Sequence, residues 1–137
     1  MFAFFDHTAD LGVRIEADSW TELVEDAARA LTAALVVNPG RITACREVEV
    51  EVEGDERDYL LLDLLAEVLF LFESEGFVGS EFAAEQRGAR LRCRLRGERF
   101  DPDRHGVGHD IKAITYHGLS AEQGEDGSWR AEVVVDL

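Results

Sequence analysis

Residues 45–76 read CREVEVEVEGDERDYLLLDLLAEVLFLFESEG. Their periodicity changes once, at Gly54. From Cys45 to Glu53 apolar and acidic residues alternate strictly. Val48, Val50 and Val52 point to one side, and Glu47, Glu49, Glu51 and Glu53 to the other, as in a strand with one wet face. From Asp55 to Glu75 the spacing becomes helical. Leu60, Leu61, Leu64, Leu65, Val68, Leu69 and Phe72 form an apolar face too wide for a helix that lies on one surface only. Gly76 is placed to close this helix.

The same logic extends outward. Gly12 to Glu16 alternates as a strand. Ser19-Trp20-Thr21-Glu22 has capping-box spacing and predicts a helix start. Trp20, Leu23, Val24, Ala27, Ala28, Leu31, Ala34 and Leu35 then recur every three or four residues, and Asn38-Pro39-Gly40 ends the segment. Phe77 to Gln86 reads as a strand. In the next, Ala89, Leu91, Cys93 and Leu95 alternate with Arg90, Arg92, Arg94 and Arg96. Arg99 to Gly108 reads as a polar loop. Asp110 to His117 and Leu119 to Gln123 read as extended segments. Asp126-Gly127 marks a tight turn before a valine-rich strand, Trp129 to Asp136. Two helices among about seven strands with hairpin-like connections predict an α+β class. The expected architecture is a single-domain layered sandwich over 1–137, with two helices packed on a mostly antiparallel or mixed sheet.

Composition narrows the function. The 137 residues carry 14 basic and 29 acidic side chains, a formal charge of −15. A surface this negative repels phosphates, which argues against tight, independent nucleic-acid binding. Two cysteines without CxxC spacing give neither a disulfide framework nor a zinc site. The N-terminus lacks the basic flank and apolar core of a secretory signal. The apolar run Tyr59–Phe72 is interrupted by Asp63 and Glu67 and is shorter than the roughly 20 residues that span a bilayer. A soluble, cytoplasmic protein without a membrane role is the expectation.

Three features could carry chemistry. Seven arginines against three acids between Arg87 and Arg104 form either a docking surface or the partner of the glutamate row Glu47–Glu53 across a sheet. The histidines His7, His105, His109 and His117 lack the spacing that places two ligands on a helix face. His105 and His109 lie four apart, but in a glycine-containing loop. No phosphate-cradling glycine loop, nucleophile elbow or supported Cys–His pair is evident. The third feature is the two chain ends: Asp6-His7-Thr8-Ala9-Asp10 before a strand and Asp136-Leu137 after one. Each acid taken alone is an ordinary solvated strand end. One more residue stands out: Lys112 is the single lysine among 13 arginines.

The same segments carry a family resemblance. Asp6-His7-Thr8-Ala9-Asp10 resembles the DHTAD signature of the archease family. Lys112-Ala113-Ile114-Thr115-Tyr116-His117 resembles its KA(V/I)TYH motif, and Trp129 with Val135-Asp136-Leu137 its closing segment. The helix after Asp18–Leu23 and the leucine-rich helix ending at Leu69–Gly76 also match, so the resemblance spans the chain.

The resemblance implies a non-catalytic, metal-binding activator of an RtcB-type RNA ligase. Such a protein promotes guanylylation of the ligase and its multiple turnover in tRNA splicing and RNA repair. It also leaves room for a chaperone or modulator of a tRNA cytosine methyltransferase. A third reading, a small metal-dependent phosphoester hydrolase on Asp10 and Asp136, lacks an evident acid or base. Carried onto this sequence, the implied metal ligands are Asp10, Asp136 and the terminal carboxylate or carbonyl of Leu137. Asp6 and His7 are candidates to support them from outside the coordination sphere, and Lys112 is the contact to partner or nucleotide. An all-oxygen set suits a hard divalent cation, calcium, magnesium or manganese.

Overall fold

The structure, a computed structural model, describes residues 1–7 and 10–137. Seven strands form two antiparallel sheets. The first has the order β1 (Phe2–His7), β2 (Asp10–Ala17), β7 (Trp129–Asp136), β6 (Ala113–Gln123). The second has the order β3 (Arg46–Glu53), β5 (Arg90–Arg99), β4 (Phe77–Arg87). Helices α1 (Trp20–Leu35) and α2 (Arg57–Glu75) touch both sheets, α1 through β4 and β2, α2 through β6 and β3. They form a layer between the sheets. This is the α+β class with seven strands that the patterning predicts, but the strands divide into two sheets rather than one.

That division explains the width of the apolar face on α2. Leu60, Leu61, Leu62, Leu64, Leu65, Val68, Leu69 and Leu71 are all buried. A helix covered by sheets on two sides needs apolar residues around most of its circumference. Each sheet keeps one apolar face inward: Val13, Ile15, Val133 and Val135 from the first, Val50, Leu91, Cys93 and Leu95 from the second. Helix boundaries follow local chemistry. The Ser19 hydroxyl accepts the Glu22 N–H at 3.2 Å, and Gly76 ends α2 with φ of 65°. None of the helices, among the described residues, is long and apolar enough to cross a membrane.

Three local expectations are corrected. Phe2–His7, not anticipated as a strand, pairs with β2 along its whole length. The two extended segments near 110–123 are one strand, β6, interrupted by an irregularity between Thr115 and Ser120. Gly118 sits there with φ of 66°. The polar loop at 99–108 contains a one-turn helix, α3 (Pro102–His105), capped by Asp101, whose side chain accepts the Asp103 N–H.

Candidate functional site

The first and last strands of the first sheet set the site. The β2–β7 register places Asp10 directly opposite Asp136, and the β6–β7 register places Ala113 opposite Asp136 on the other side. Paired residues of an antiparallel ladder project to the same face with Cβ atoms about 4.5–5.5 Å apart. Two carboxylates from opposite ends of the sequence therefore share one face. Lys112 is held next to them: its N–H donates to the Asp136 carbonyl at 2.8 Å, and its side chain is exposed. Leu137 follows Asp136 and packs partly against the core.

The remaining implied residues divide. Asp6 pairs with Leu11, so strand alternation sends it to the face opposite Asp10. His7 is the register partner of Asp10. Thr8, Ala9 and the His7 side chain lie outside the described residues.

The floor beside the acid pair is apolar. In the next register row Gly12 faces Val134. The Phe5 ring lies over Gly12 so closely that a β-carbon there would be 2.3 Å from it. The Arg14 guanidinium covers that ring at 4.8 Å and pairs with Glu132 at 2.9 Å. Val134 is 2% exposed although its side chain points away from the helices. The Thr115 hydroxyl donates to its carbonyl at 3.0 Å.

The donor chemistry fits a hard divalent cation. Asp10 and Asp136 supply anionic oxygens, and the Leu137 main chain supplies another oxygen. Among the described residues no group of three or more His, Cys, Asp or Glu side chains converges. Two side chains plus main-chain oxygen is thus the donor set these residues offer, with the rest of a coordination sphere open to other molecules.

The other sequence features resolve into structure. The arginine row pairs residue for residue with the glutamate row: Glu47 with Arg96, Glu49 with Arg94, Glu51 with Arg92, Glu53 with Arg90. Arg90 meets Glu53 at 2.6 Å and Arg92 meets Glu49 at 3.2 Å. Cross-strand charge pairing, one of the two readings of this segment, accounts for Arg90–Arg96. The histidine pair makes no site. His105 is completely buried. Its Nδ1 accepts the Asp101 N–H at 2.9 Å, which places the ring proton on Nε2, 3.0 Å from Glu98. Glu98 also accepts the Thr43 N–H at 2.6 Å and contacts Arg104. These partners, the Thr43 N–H foremost, hold its carboxyl down at about 2. Burial pushes the Cys93 thiol up to about 12, which makes it a packing group and not a nucleophile. Sequence reasoning missed the role of His105. The available signal was Asp101-Pro102, a cap followed by proline at the first helical position.

Comparison with known proteins agrees across the whole length. The model of the Archease protein family (MTH1598/TM1083) matches residues 2–137. Protein archease of Pyrococcus furiosus is 39% identical over 137 residues, 97% of this chain and 96% of that protein. Protein archease of Methanopyrus kandleri is 40% identical over 136 residues, 96% of each. The solution structure of Methanobacterium thermoautotrophicum protein 1598 superposes with a TM-score of 0.81 at 30% identity, covering 99% of this chain and 98% of that one. The crystal structure of a Thermotoga maritima protein, described as an archease and possible chaperone, gives 0.68 at 28% identity, covering 97% and 94%. With motifs, topology and whole-length similarity in agreement, the chain belongs to the archease family.

Proposed function

We propose that this protein is a non-catalytic activator of an RtcB-type RNA ligase. It holds a divalent cation through Asp10, Asp136 and the main-chain oxygen of Leu137 and docks beside the ligase's nucleotide site. The observation that carries this reading is the register pair Asp10–Asp136 with Lys112 hydrogen-bonded to Asp136 through its backbone. Such a cation neutralises phosphate charge during nucleotidyl transfer. Lys112 contributes a compact ammonium on a flexible stem, which a forked guanidinium does not replace where space is tight. Asp10 and Asp136, opposed across two strands, orient the ion toward a partner instead of enclosing it. Bringing two carboxylates within about 5 Å costs roughly 1 kcal/mol at water-like screening and about 3 at an effective dielectric of 20. A bound dication reverses that cost.

The test is transfer of labelled GMP to purified ligase, with and without this protein. Stimulation is expected from the wild type and not from Asp10→Ala, Asp136→Ala or Lys112→Ala, with Lys112→Arg partly active. Absence of stimulation at any ratio removes the proposal. A second reading, modulation of a tRNA cytosine methyltransferase, is favoured by the description of the Thermotoga relative as a possible chaperone. It predicts a change in methylation-site selectivity with no effect on guanylylation.

A further inference from the structure

Tyr59, Asp63, Ala66 and Phe70 of α2 are exposed and spaced four, three and four residues apart. That spacing aligns them as one stripe along the helix. Phe70 is 62% exposed and Tyr59 47%. From β6, Tyr116, 67% exposed, packs its ring against Tyr59 at 5.9 Å between centroids. Three of the seven large hydrophobic side chains exposed among the described residues thus occupy one face. A gathering of apolar surface on an otherwise highly charged protein marks a contact site.

The charge around these rings is of one sign. Asp63 lies within the stripe, Glu67 and Glu73 border it, and all three are exposed. The sole basic residue of α2, Arg57, is turned away and stacks on Trp20 at 5.0 Å. The patch is also continuous with the Asp10–Asp136 site. Tyr116 follows Ala113, the register neighbour of Asp136, by three residues, about 10 Å along a strand. A standard interface of about 800 Å² per partner covers both.

We infer that the Tyr59–Phe70–Tyr116 face docks the activated ligase through a basic surface with an apolar hollow that receives the rings. The inference rests on the activator reading above and names the surface that delivers the site. Aromatic anchors at the centre and acids at the rim are the composition of an interface that gains affinity from burial and association rate from charge. A second copy of this chain would bring like charges together around the rings. Nucleic acid would face Asp63, Glu67 and Glu73 with its phosphates.

The experiment measures equilibrium binding of the full chain to purified ligase by titration calorimetry at several salt concentrations. The wild type is compared with Phe70→Ser, Tyr116→Ser and the double reversal Asp63→Lys/Glu67→Lys. Thermal melting and the melting shift on adding manganese are recorded for each. The expected result is a Kd at least tenfold weaker for each aromatic variant and a weaker, flatter salt dependence for the reversal. The manganese shift should be unchanged in all three. Variant affinities within twofold of the wild type overturn the surface while leaving the activator reading intact. A wild type that does not bind the ligase removes both. A wild-type dimer that Phe70→Ser dissociates also overturns the inference, because the occupant is then a second copy.

Discussion

Replacing Glu98 tests how the segment before β6 is held. Its carboxylate accepts from the Thr43 N–H at 2.6 Å and from His105 Nε2 at 3.0 Å, and it pairs with Arg104. His105 is fully buried and stacks on Phe100 at 5.9 Å. Its carbonyl accepts the Asn38 N–H at 2.8 Å, so Glu98 links β5 to the end of α1. Glu98→Ala leaves the buried Nε2–H without an acceptor, at about 1–3 kcal/mol, and removes charge-assisted bonds from Thr43 and Arg104. A total of about 2–4 kcal/mol is expected, or roughly 6–15 °C in Tm for a chain of this size. Glu98→Gln keeps an acceptor oxygen and should cost about half as much.

The pH dependence fixes the cause. The folded-state pKa of Glu98 lies at about 2, below its ordinary value of 4.5. The carboxylate therefore stabilises the fold fully above pH 4.5, and this contribution is lost as pH falls toward 2. Urea unfolding of wild type and Glu98→Gln between pH 7 and pH 2.5, followed by circular dichroism, reads the difference directly. The other carboxylates are common to both proteins and cancel. A stability gap that stays constant through this window refutes the charge-based account, as does a Glu98→Ala variant as stable as the wild type.

Three further outcomes are expected. Asp136→Asn should retain the wild-type fold by circular dichroism but lose the increase in Tm that millimolar manganese or calcium gives the wild type. Gly97→Ala should prevent stable folding, seen as loss of the cooperative melting transition. An added β-carbon there would lie 1.9 Å from the Val78 carbonyl oxygen, and backbone cannot swing aside as a side chain does. Arg92→Glu should destabilise the protein by about 1 kcal/mol, because it places like charges beside Glu49 and Glu51 on an exposed sheet face. That loss should shrink as salt is raised to 1 M, measured by urea midpoints.

The helices were legible because their signals are local. Ser19 and Gly76 cap where their chemistry directs, and the breadth of the leucine face on α2 already demanded cover on two sides. The complementary rows Glu47–Glu53 and Arg90–Arg96 were equally visible, although their pairing needed the β3–β5 register to be seen. β1 escaped because Phe2, Phe4 and Phe5 do not alternate with polar residues, so the segment has no period of two. Its apolar side chains serve two faces: Phe2 packs against the core, while Phe5 lies over Gly12. β6 was read as two strands because Gly118 marks a break in pairing that looks, in sequence, like an end. The meeting of Asp10 and Asp136 is a long-range register fact. Neither segment encodes it locally, and the motifs pointed to it only through family resemblance.

That register depends on the contact between Phe5 and Gly12, which can be tested without altering any carboxylate. Gly12→Ala forces the Phe5 ring off β2, since ring and β-carbon would be 2.3 Å apart. Arg14 then loses the ring it covers at 4.8 Å. Phe5→Ala removes the same packing from the other side. Each change should cost about 1–2 kcal/mol, within the range of overpacking and of partly buried truncation. The double variant should cost little more than either alone, because once the ring is gone an alanine at position 12 meets no obstacle and suits a strand better than glycine. The coupling in the double-mutant cycle is therefore expected to be about 1 kcal/mol toward compensation. If the costs instead add, the ring does not clamp β1 onto β2. Manganese titrations on the same three variants then show whether the clamp serves the acid pair: both single variants should bind the ion more weakly than the wild type, with Asp10 and Asp136 unchanged in sequence but less firmly held face to face.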